Sequence, residues 1–219
     1  MTGPLTDRPL GVVDVVYARR GDVIERSRAA RADGFAHIDP LVGTDPDALA
    51  LPIGCPTAFP KPIDEWCSTP APSARLDRAW ERAVRWWRAA PHALMEPWAG
   101  AVVNSVESIR AFREEVGEVR LLVDTGHVAD WGGDPCELLP LADHVQVRQG
   151  KPGSTQLHCD DPSGVVDFGA LFRDLDRLDY RGRVSVEYFD LPDNGWPLDN
   201  PEQWALDLAS RLRGAGPGR

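Results

Sequence analysis

Four oxygen-bearing side chains stand at the ends of short apolar runs, and they constrain the fold of this sequence more than any other feature. In chain order they are Glu96, Asp124, Gln146 and Glu187. Each run has the length and apolar content of a buried strand. In a parallel barrel the carboxyl ends of the strands converge on one face, where active sites lie. Three carboxylates and one amide meeting there would form a site for a single metal ion.

The residue types at these four positions also indicate which metal would bind. Carboxylate and amide oxygens are the preferred ligands of hard cations. A lone acid at the end of a strand more commonly pairs with an arginine, but four aligned positions favour a metal site. The sequence therefore predicts one divalent ion, with Mn²⁺ or Mg²⁺ favoured over Zn²⁺.

Strands and helices alternate along the chain, which is typical of a parallel α/β barrel. At 219 residues the chain is slightly short for a complete eightfold barrel. We predict a single TIM-barrel domain over residues 1–219, with flexible ends at 1–9 and 214–219. Seven strands are predicted, over residues 11–17, 35–41, 48–55, 93–96, 119–124, 144–147 and 184–188.

A proline-rich stretch over residues 52–72 interrupts this alternation. Its six prolines exclude a regular helix or a central strand, so we expect a long loop across the surface or the barrel mouth. These prolines weigh against an eighth strand between Ala58 and Ser73. Either the barrel is shortened by one βα unit in its N-terminal half, or one strand is irregular. A helix over residues 73–90, with Ser73 as its N-cap, is predicted to follow.

Composition excludes several classes of partner and compartment. The formal net charge is −10, and the arginines are scattered among acids, so a nucleic-acid partner is not expected. No apolar stretch reaches the ~20 residues needed to span a bilayer, and the first residues lack the pattern of a signal peptide. The four cysteines form no CxxC pair and are expected to be reduced thiols. We therefore expect a cytoplasmic protein.

Four segments in order resemble motifs of the xylose isomerase-like TIM barrels. They are Asp-Thr-Gly-His at 124–127, His-Val-Gln-Val-Arg-Gln at 144–149, Ser-Gly-Val-Val-Asp-Phe at 163–168, and Asp-Tyr-Arg-Gly-Arg-Val-Ser-Val-Glu at 179–187. The resemblance covers about residues 93–188, and the first ninety residues fit only in outline. Many members of that superfamily have histidine where Gln146 stands, whereas hydroxypyruvate isomerases resemble this chain in having glutamine.

The resemblance implies a metal-dependent isomerase or epimerase of a small sugar or hydroxy-keto compound, as in carbohydrate metabolism. It implies that Glu96 and Glu187 bind the metal and also transfer a proton next to a carbonyl, while Asp124 and Gln146 only bind the metal. It also implies that His127 contacts a substrate oxygen. Arg148 lies two residues beyond Gln146 and so faces the same side of the strand. It is predicted to bind a substrate carboxylate or phosphate, with an ordinary surface ion pair to one of the many acids as the alternative.

Three other functions are alternatives to this one. A lyase or dehydratase would use the same metal and carboxylates. A repair endonuclease resembling endonuclease IV would need further histidines on the early strands and a less acidic surface, and the sequence lacks both. A non-catalytic or partner-dependent barrel subunit is suggested by the shortened N-terminal half, where a homo-oligomer or second protein would cover the pocket. The expected partner is otherwise a small-molecule substrate.

Overall fold

The computed structural model describes residues 4–59 and 61–214, and its centre is a curled sheet of seven parallel strands. Two further strands, β7 and β8, form a separate antiparallel hairpin within residues 149–164, a segment that the sequence predicts to be a loop. The nine strands are β1 (Leu10–Val13), β2 (Ile38–Asp39), β3 (Ser68–Pro70), β4 (Leu94–Glu96), β5 (Leu121–Asp124), β6 (Ala142–Val147), β7 (Gln149–Lys151), β8 (Ser154–Leu157) and β9 (Arg183–Val186).

Neighbouring strands in the seven-stranded sheet follow the order β2-β1-β9-β6-β5-β4-β3, which leaves β2 and β3 at its two edges. Residues 53–58 lie between those edges and form isolated parallel bridges to both, from Thr57 to Leu41 and to Ser68. The Ala58 amide donates to the Ser68 carbonyl at 2.8 Å, and the Thr57 amide donates to the Pro40 carbonyl at 2.9 Å. An irregular segment thus occupies the remaining strand position of the barrel.

The proline-rich stretch explains where the predicted strands and the observed strands differ. The strand predicted at 48–55 is shifted to the bridging segment 53–58, and Pro52 and Pro56 keep its pairing discontinuous because they lack an N–H group. A strand does lie between Ala58 and Ser73, where the prolines argued against one. This strand is β3, and Pro70 is tolerated because it ends an edge strand.

The shortening predicted for the N-terminal half is found in the helices. Among the described residues between α1 and α2, the only helix is the 3₁₀ turn Pro46–Ala48. No described helix is long and apolar enough to cross a membrane. The α-helices are α1 (Val23–Ala32), α2 (Ala79–Ala89), α3 (Val106–Val116), α4 (Thr125–Asp130), α5 (Pro135–Leu138), α6 (Phe168–Arg177) and α7 (Pro201–Leu212).

Helix α2 begins later than the sequence predicts and packs on α3 through aromatic side chains. Ser73 is not its N-cap and instead forms an antiparallel bridge to Ala101. The rings of Trp80 and Trp87 meet Phe112 edge to face, with centroids 5.5 and 5.9 Å apart. Trp87 is fully buried and donates to the Ala93 carbonyl at 3.1 Å, so it belongs to the core.

Part of the N-terminal segment that was predicted to be flexible is bonded to the barrel. The amides of Leu5 and Thr6 donate to the Leu212 carbonyl at 2.9 and 3.3 Å. Arg8 pairs with Asp176 at 2.8 Å. Residues 1–3 and 215–219 of the predicted flexible ends lie outside the described residues. The four cysteines are free, in agreement with the prediction of reduced thiols.

Candidate active site

A cavity of about 270 Å³ opens at the carboxyl ends of the parallel strands. Polar side chains from separate elements reach it. Glu96 is the last residue of β4, Gln146 lies in β6, Glu187 directly follows β9, and His127 lies in α4. Asp124, the last residue of β5, is fully buried beside them. The four predicted strand-end residues therefore converge, because the strands that carry them are parallel and adjacent.

The register of the sheet accounts for this convergence. Asp124 of β5 is paired with Gln146 of β6, and Gln146 is paired with Ser185 of β9. Paired residues of adjacent parallel strands project on the same side of a sheet, here into the barrel. Two residues beyond Ser185, Glu187 projects on that side as well, and its amide is held by the Val147 carbonyl at 3.2 Å.

Asp124 is fixed by the turn that follows it. Its Oδ1 accepts the amides of Gly126 and His127 at 2.7 and 3.1 Å, so Asp124 is the N-cap of α4. Gly126 is required by close packing, because a Cβ there would lie 2.0 Å from the Thr155 carbonyl oxygen and 2.5 Å from Arg148 Nε. The Asp-Thr-Gly-His segment thus sets the orientation of the carboxylate as well as supplying it.

Arg148 lies beneath the cavity and does not line it. Its side chain is fully buried, Nε donates to Asp124 Oδ1 at 3.1 Å, and Nη2 donates to Asp124 Oδ2 at 2.5 Å. Nη2 also lies 3.1 Å from Glu187 Oε2, an ionic contact that is not aligned as a hydrogen bond. The guanidinium sits 4.3 Å from the centre of the Phe189 ring. Arg148 thus forms an ion pair, but a buried one rather than the surface pair considered as the alternative, and contact with substrate would require these carboxylates to move.

His127 lines the cavity and is held by the β7–β8 hairpin. Its Nδ1 is 2.9 Å from the Thr155 hydroxyl, and its Nε2 is 3.7 Å from Glu96 Oε1. Burial lowers the pKa of His127, and although the Asp124 charge opposes this shift, the pKa falls to about 3. The imidazole is therefore neutral at physiological pH.

Burial dominates the charge states of the three carboxyl groups. It raises the pKa of Glu96 to about 8, with a further increase from the charge of Asp124. Burial also raises the pKa of Glu187 well above its ordinary value, against the effect of Arg148. Burial would raise the pKa of Asp124 too, but Arg148 and His127 lower it to about 2. Asp124 is thus the ionised group, and the two glutamates can hold protons near neutral pH.

The residues around the cavity floor fit a divalent cation. Ligand atoms of Glu96, Asp124 and His127 lie within 4.8 Å of one another. Gln146 Oε1 is buried and accepts no hydrogen bond within the described structure, which is unfavourable unless a cation or proton donor approaches it. Glu187 Oε2 is also buried without an aligned hydrogen bond, but Arg148 Nη2 already lies 3.1 Å from it. A bound cation would displace the protons of Glu96 and Glu187, and the three carboxylates together with Arg148 would then carry a formal charge of −2, which one divalent ion would neutralise.

A buried polar layer below the cavity was missed by the sequence analysis. Asp39, at the end of β2, lines the cavity, accepts the Cys55 amide at 2.8 Å and lies 2.7 Å from His144 Nε2. His37 Nε2 lies 3.0 Å from Ser185 Oγ on the same level of the barrel. Asp39 meets the same strand-end criterion as the other acids. It was overlooked because the strand was predicted to continue to residue 41.

Aromatic side chains form one wall of the cavity. Trp98, which directly follows Pro97 after β4, is fixed by its indole N–H, which donates to the Ala71 carbonyl at 2.8 Å. Trp196 meets Trp98, His127 and Phe189, with ring centroids 6.4, 5.9 and 5.2 Å apart. Both Trp98 and Trp196 line the cavity. His158, outside the cavity, pairs with Asp207 at 3.0 Å.

The family comparison agrees with the motifs. A model of the family described as xylose isomerase-like TIM barrel matches residues 56–214, well over half of the chain. The matched region includes all six residues that the sequence predicts for the site. Among curated proteins the chain has no significant match.

Solved structures share the fold at low sequence identity. The apo 3-keto-D-glucoside 4-epimerase YcjR from E. coli is 16% identical, with TM-score 0.65 over 94% of this chain and 99% of that one. A xylose isomerase-like TIM barrel protein from Mycobacterium smegmatis in complex with magnesium is 16% identical, with TM-score 0.64 over 95% and 99%. The IOLI protein with a bound zinc atom is 14% identical, with TM-score 0.62 over 93% and 97%.

Proposed function

Because this chain belongs to the xylose isomerase-like TIM barrel family, we propose that it is a divalent-metal-dependent isomerase or epimerase of a small hydroxy-carbonyl compound. Glu96 and Glu187 are the proposed proton-transferring groups. The observation that carries the proposal is that two buried glutamates with raised pKa values line the same cavity. Fold similarity adds a structural neighbour named as an epimerase.

The two glutamates have the properties that reversible proton transfer needs. A general acid or base must lie within hydrogen-bond reach of the proton that it transfers, and both glutamates line the cavity that would hold the substrate. One carboxylate would remove the proton from the carbon next to the substrate carbonyl. The other, as a carboxylic acid, would return a proton to the neighbouring carbon in an isomerisation or to the opposite face in an epimerisation.

The neighbouring residues would hold the reacting groups in place. Asp124 remains ionised and, with Gln146, Glu96 and Glu187, would hold the metal. His127 is neutral, so when the Thr155 hydroxyl donates to Nδ1, Nε2 carries the proton and can donate to a substrate oxygen. The aromatic wall would keep water away from the substrate carbon that has lost its proton. A bound divalent ion would supply Lewis-acid polarisation of the carbonyl.

The donor set allows more than one metal. Three carboxylates and the Gln146 amide favour Mg²⁺ or Mn²⁺, as the sequence predicts, but the His127 imidazole next to Glu96 and Asp124 is also a good zinc ligand. Among the neighbours, one structure contains magnesium and another contains zinc. We propose Mn²⁺ or Mg²⁺, and metal analysis of the purified protein tests this choice.

The proposed function is tested by hydrogen exchange from solvent. Purified protein with added MnCl₂ is incubated in D₂O with a panel of ketoses, aldoses and hydroxy-keto acids, and deuterium incorporation is followed by NMR. We expect exchange into at least one compound, with loss of the signal in EDTA. Glu187→Gln should lower the exchange rate about 10²–10⁴-fold.

Glu118→Gln is the matched control, because Glu118 is exposed and lies away from the cavity. This variant should exchange at the wild-type rate. Absence of a metal-dependent thermal shift together with absence of exchange would contradict the proposal. Exchange accompanied by loss of water from the substrate would instead identify a lyase that uses the same groups.

A further inference from the structure

The walls and mouth of the cavity are largely apolar, whereas its floor is acidic. From this difference in polarity we propose the chemical class of the substrate. It is an uncharged hydroxy-carbonyl compound that carries an apolar substituent, aromatic or alkyl, rather than a free or phosphorylated sugar. This inference rests on the proposed function, since that function assigns the polar end of the substrate to the floor of the cavity.

The apolar part of the cavity begins directly above the acidic floor. Its lining includes Val13, Val15 and Pro40 together with the rings of Trp98, Phe189 and Trp196. None of these aliphatic side chains can bond a hydroxyl group. A polyhydroxy compound that filled the cavity would therefore lose bonds to water along these walls without replacing them. An apolar group has no hydrogen bonds to lose there, and its transfer from water to these walls lowers the free energy.

Three exposed apolar side chains extend this surface to the mouth. Leu41, Phe59 and Leu191 line the cavity and are 54%, 63% and 40% exposed. They account for three of the seven large apolar side chains that are exposed in the described part of the chain. Leu191 is held in place because it exchanges two backbone hydrogen bonds with Trp196, at 2.9 and 3.0 Å. Exposed apolar clusters beside a polar site are typical of ligand-binding surfaces.

The charges around the cavity argue against an anionic substrate. Among the described residues that line it, none is lysine or arginine, whereas Asp14, Asp39, Glu96 and Glu187 are acids. Arg148, the nearest predicted anion-binding residue, is fully buried and engaged by Asp124 and Glu187. A phosphate or carboxylate would thus find no guanidinium or ammonium partner in the described part of the cavity wall.

The test measures binding of matched hydroxy ketones by isothermal titration calorimetry to Mn²⁺-loaded protein. The phenyl compounds 2-hydroxyacetophenone and 1-hydroxy-3-phenylpropan-2-one are each compared with hydroxyacetone, their methyl counterpart, and glucose 6-phosphate is compared with glucose. We expect at least one phenyl hydroxy ketone to bind about tenfold or more tightly than hydroxyacetone. Glucose 6-phosphate should bind no more tightly than glucose.

Variants locate the effect on the protein. Phe59→Ala and Leu191→Ala should reduce the phenyl-to-methyl affinity ratio severalfold, while Leu178→Ala and Leu76→Ala should leave it unchanged. The two control leucines are 44% and 46% exposed and lie outside the cavity. Because all four side chains are at the surface, their loss should not impair folding.

The outcomes separate this inference from the proposed function. Equal affinities for the phenyl and methyl compounds, absence of binding by both phenyl hydroxy ketones, or preference for the phosphate would overturn the substrate class, whether or not deuterium exchange is observed. A phenyl preference that Phe59→Ala abolishes, in a protein without metal-dependent exchange, would support the substrate class and contradict the proposed reaction.

Discussion

Arg148→Met is the perturbation whose effect follows most directly from the geometry. The substitution keeps an unbranched side chain but removes the charge that faces Asp124 and Glu187. Both carboxyl groups are at least nine-tenths buried, and Asp124 loses two hydrogen bonds from the guanidinium. In the absence of metal, the variant must keep three acidic groups close together with no cation beside them.

Breaking a buried ion pair by removing one partner costs roughly 3–5 kcal/mol. We expect the lower part of this range, about 3 kcal/mol at pH 7, because Glu96 and Glu187 already favour their protonated forms. This is a large fraction of the roughly 5–15 kcal/mol by which domains are stable. The urea midpoint in EDTA should therefore fall by about 1–1.5 M, given a typical slope of about 2–3 kcal/mol per molar.

Divalent metal should reverse much of this loss. An ion at about one hundred times its dissociation constant stabilises the folded state by about 2.7 kcal/mol, and the Arg148→Met site no longer holds a competing guanidinium. Tryptophan fluorescence during urea unfolding, in EDTA and in MnCl₂, measures both effects. We expect Mn²⁺ to raise the midpoint of Arg148→Met more than that of the wild type.

Arg177→Met serves as the control, because Arg177 pairs with Asp174 at the surface and such pairs contribute about 1 kcal/mol or less. The reasoning is refuted if Arg148→Met and wild type unfold at the same urea concentration in EDTA. It is also refuted if Mn²⁺ stabilises the two proteins equally, because Arg148 would then not compete with the ion for Asp124.

Two further predictions concern the same site. In EDTA, the stability that Glu96 contributes to the wild type should be lost as pH rises from about 4.5 to about 8, because the folded protein keeps the Glu96 proton while the unfolded chain releases it. In a plot of urea midpoint against pH, Glu96→Gln should therefore be flatter than the wild type over this range. Parallel plots for the two proteins would contradict the raised pKa of Glu96. Gly126→Ala should destabilise the protein by about 1–3 kcal/mol and slow deuterium exchange, since its Cβ would lie 2.0 Å from the Thr155 carbonyl oxygen. Gly169→Ala, near the start of α6, is the control and should be neutral or slightly stabilising, so equal losses in both variants would count against the close-contact explanation.

The sequence predicts those site residues whose positions are determined by the direction of the strands. Glu96, Asp124, Gln146 and Glu187 converge because parallel strands present their carboxyl ends together, and a short apolar run is enough to locate such an end. The depth of Arg148 does not follow from the same pattern. A spacing of two residues gives the side of a strand on which Arg148 lies, but the length of its side chain allows it to reach either the cavity or the carboxylates beneath.

The rest of the fold depends on interactions between distant residues. The segment 53–58 occupies a strand position because two distant strands offer it partners, a fact that its own prolines conceal. Likewise, the β7–β8 hairpin lies in a segment rich in polar residues that was predicted as a loop, and its Thr155 is what holds His127. Local sequence preference is weak in both places, and tertiary pairing decides the outcome.

The irregular segment over residues 53–58 is a part of the barrel wall where strand pairing is discontinuous. Because Pro52 and Pro56 have carbonyl groups but no N–H groups, this part of the wall is joined by fewer hydrogen bonds than the neighbouring strands. It also has no α-helix packed behind it among the described residues. Regions of this kind open locally at a lower free energy than the rest of a domain. Leu41, Thr57 and Phe59 line the cavity. Local opening of the segment 53–58 would therefore widen the cavity entrance, while the strands that carry the acidic residues remain paired.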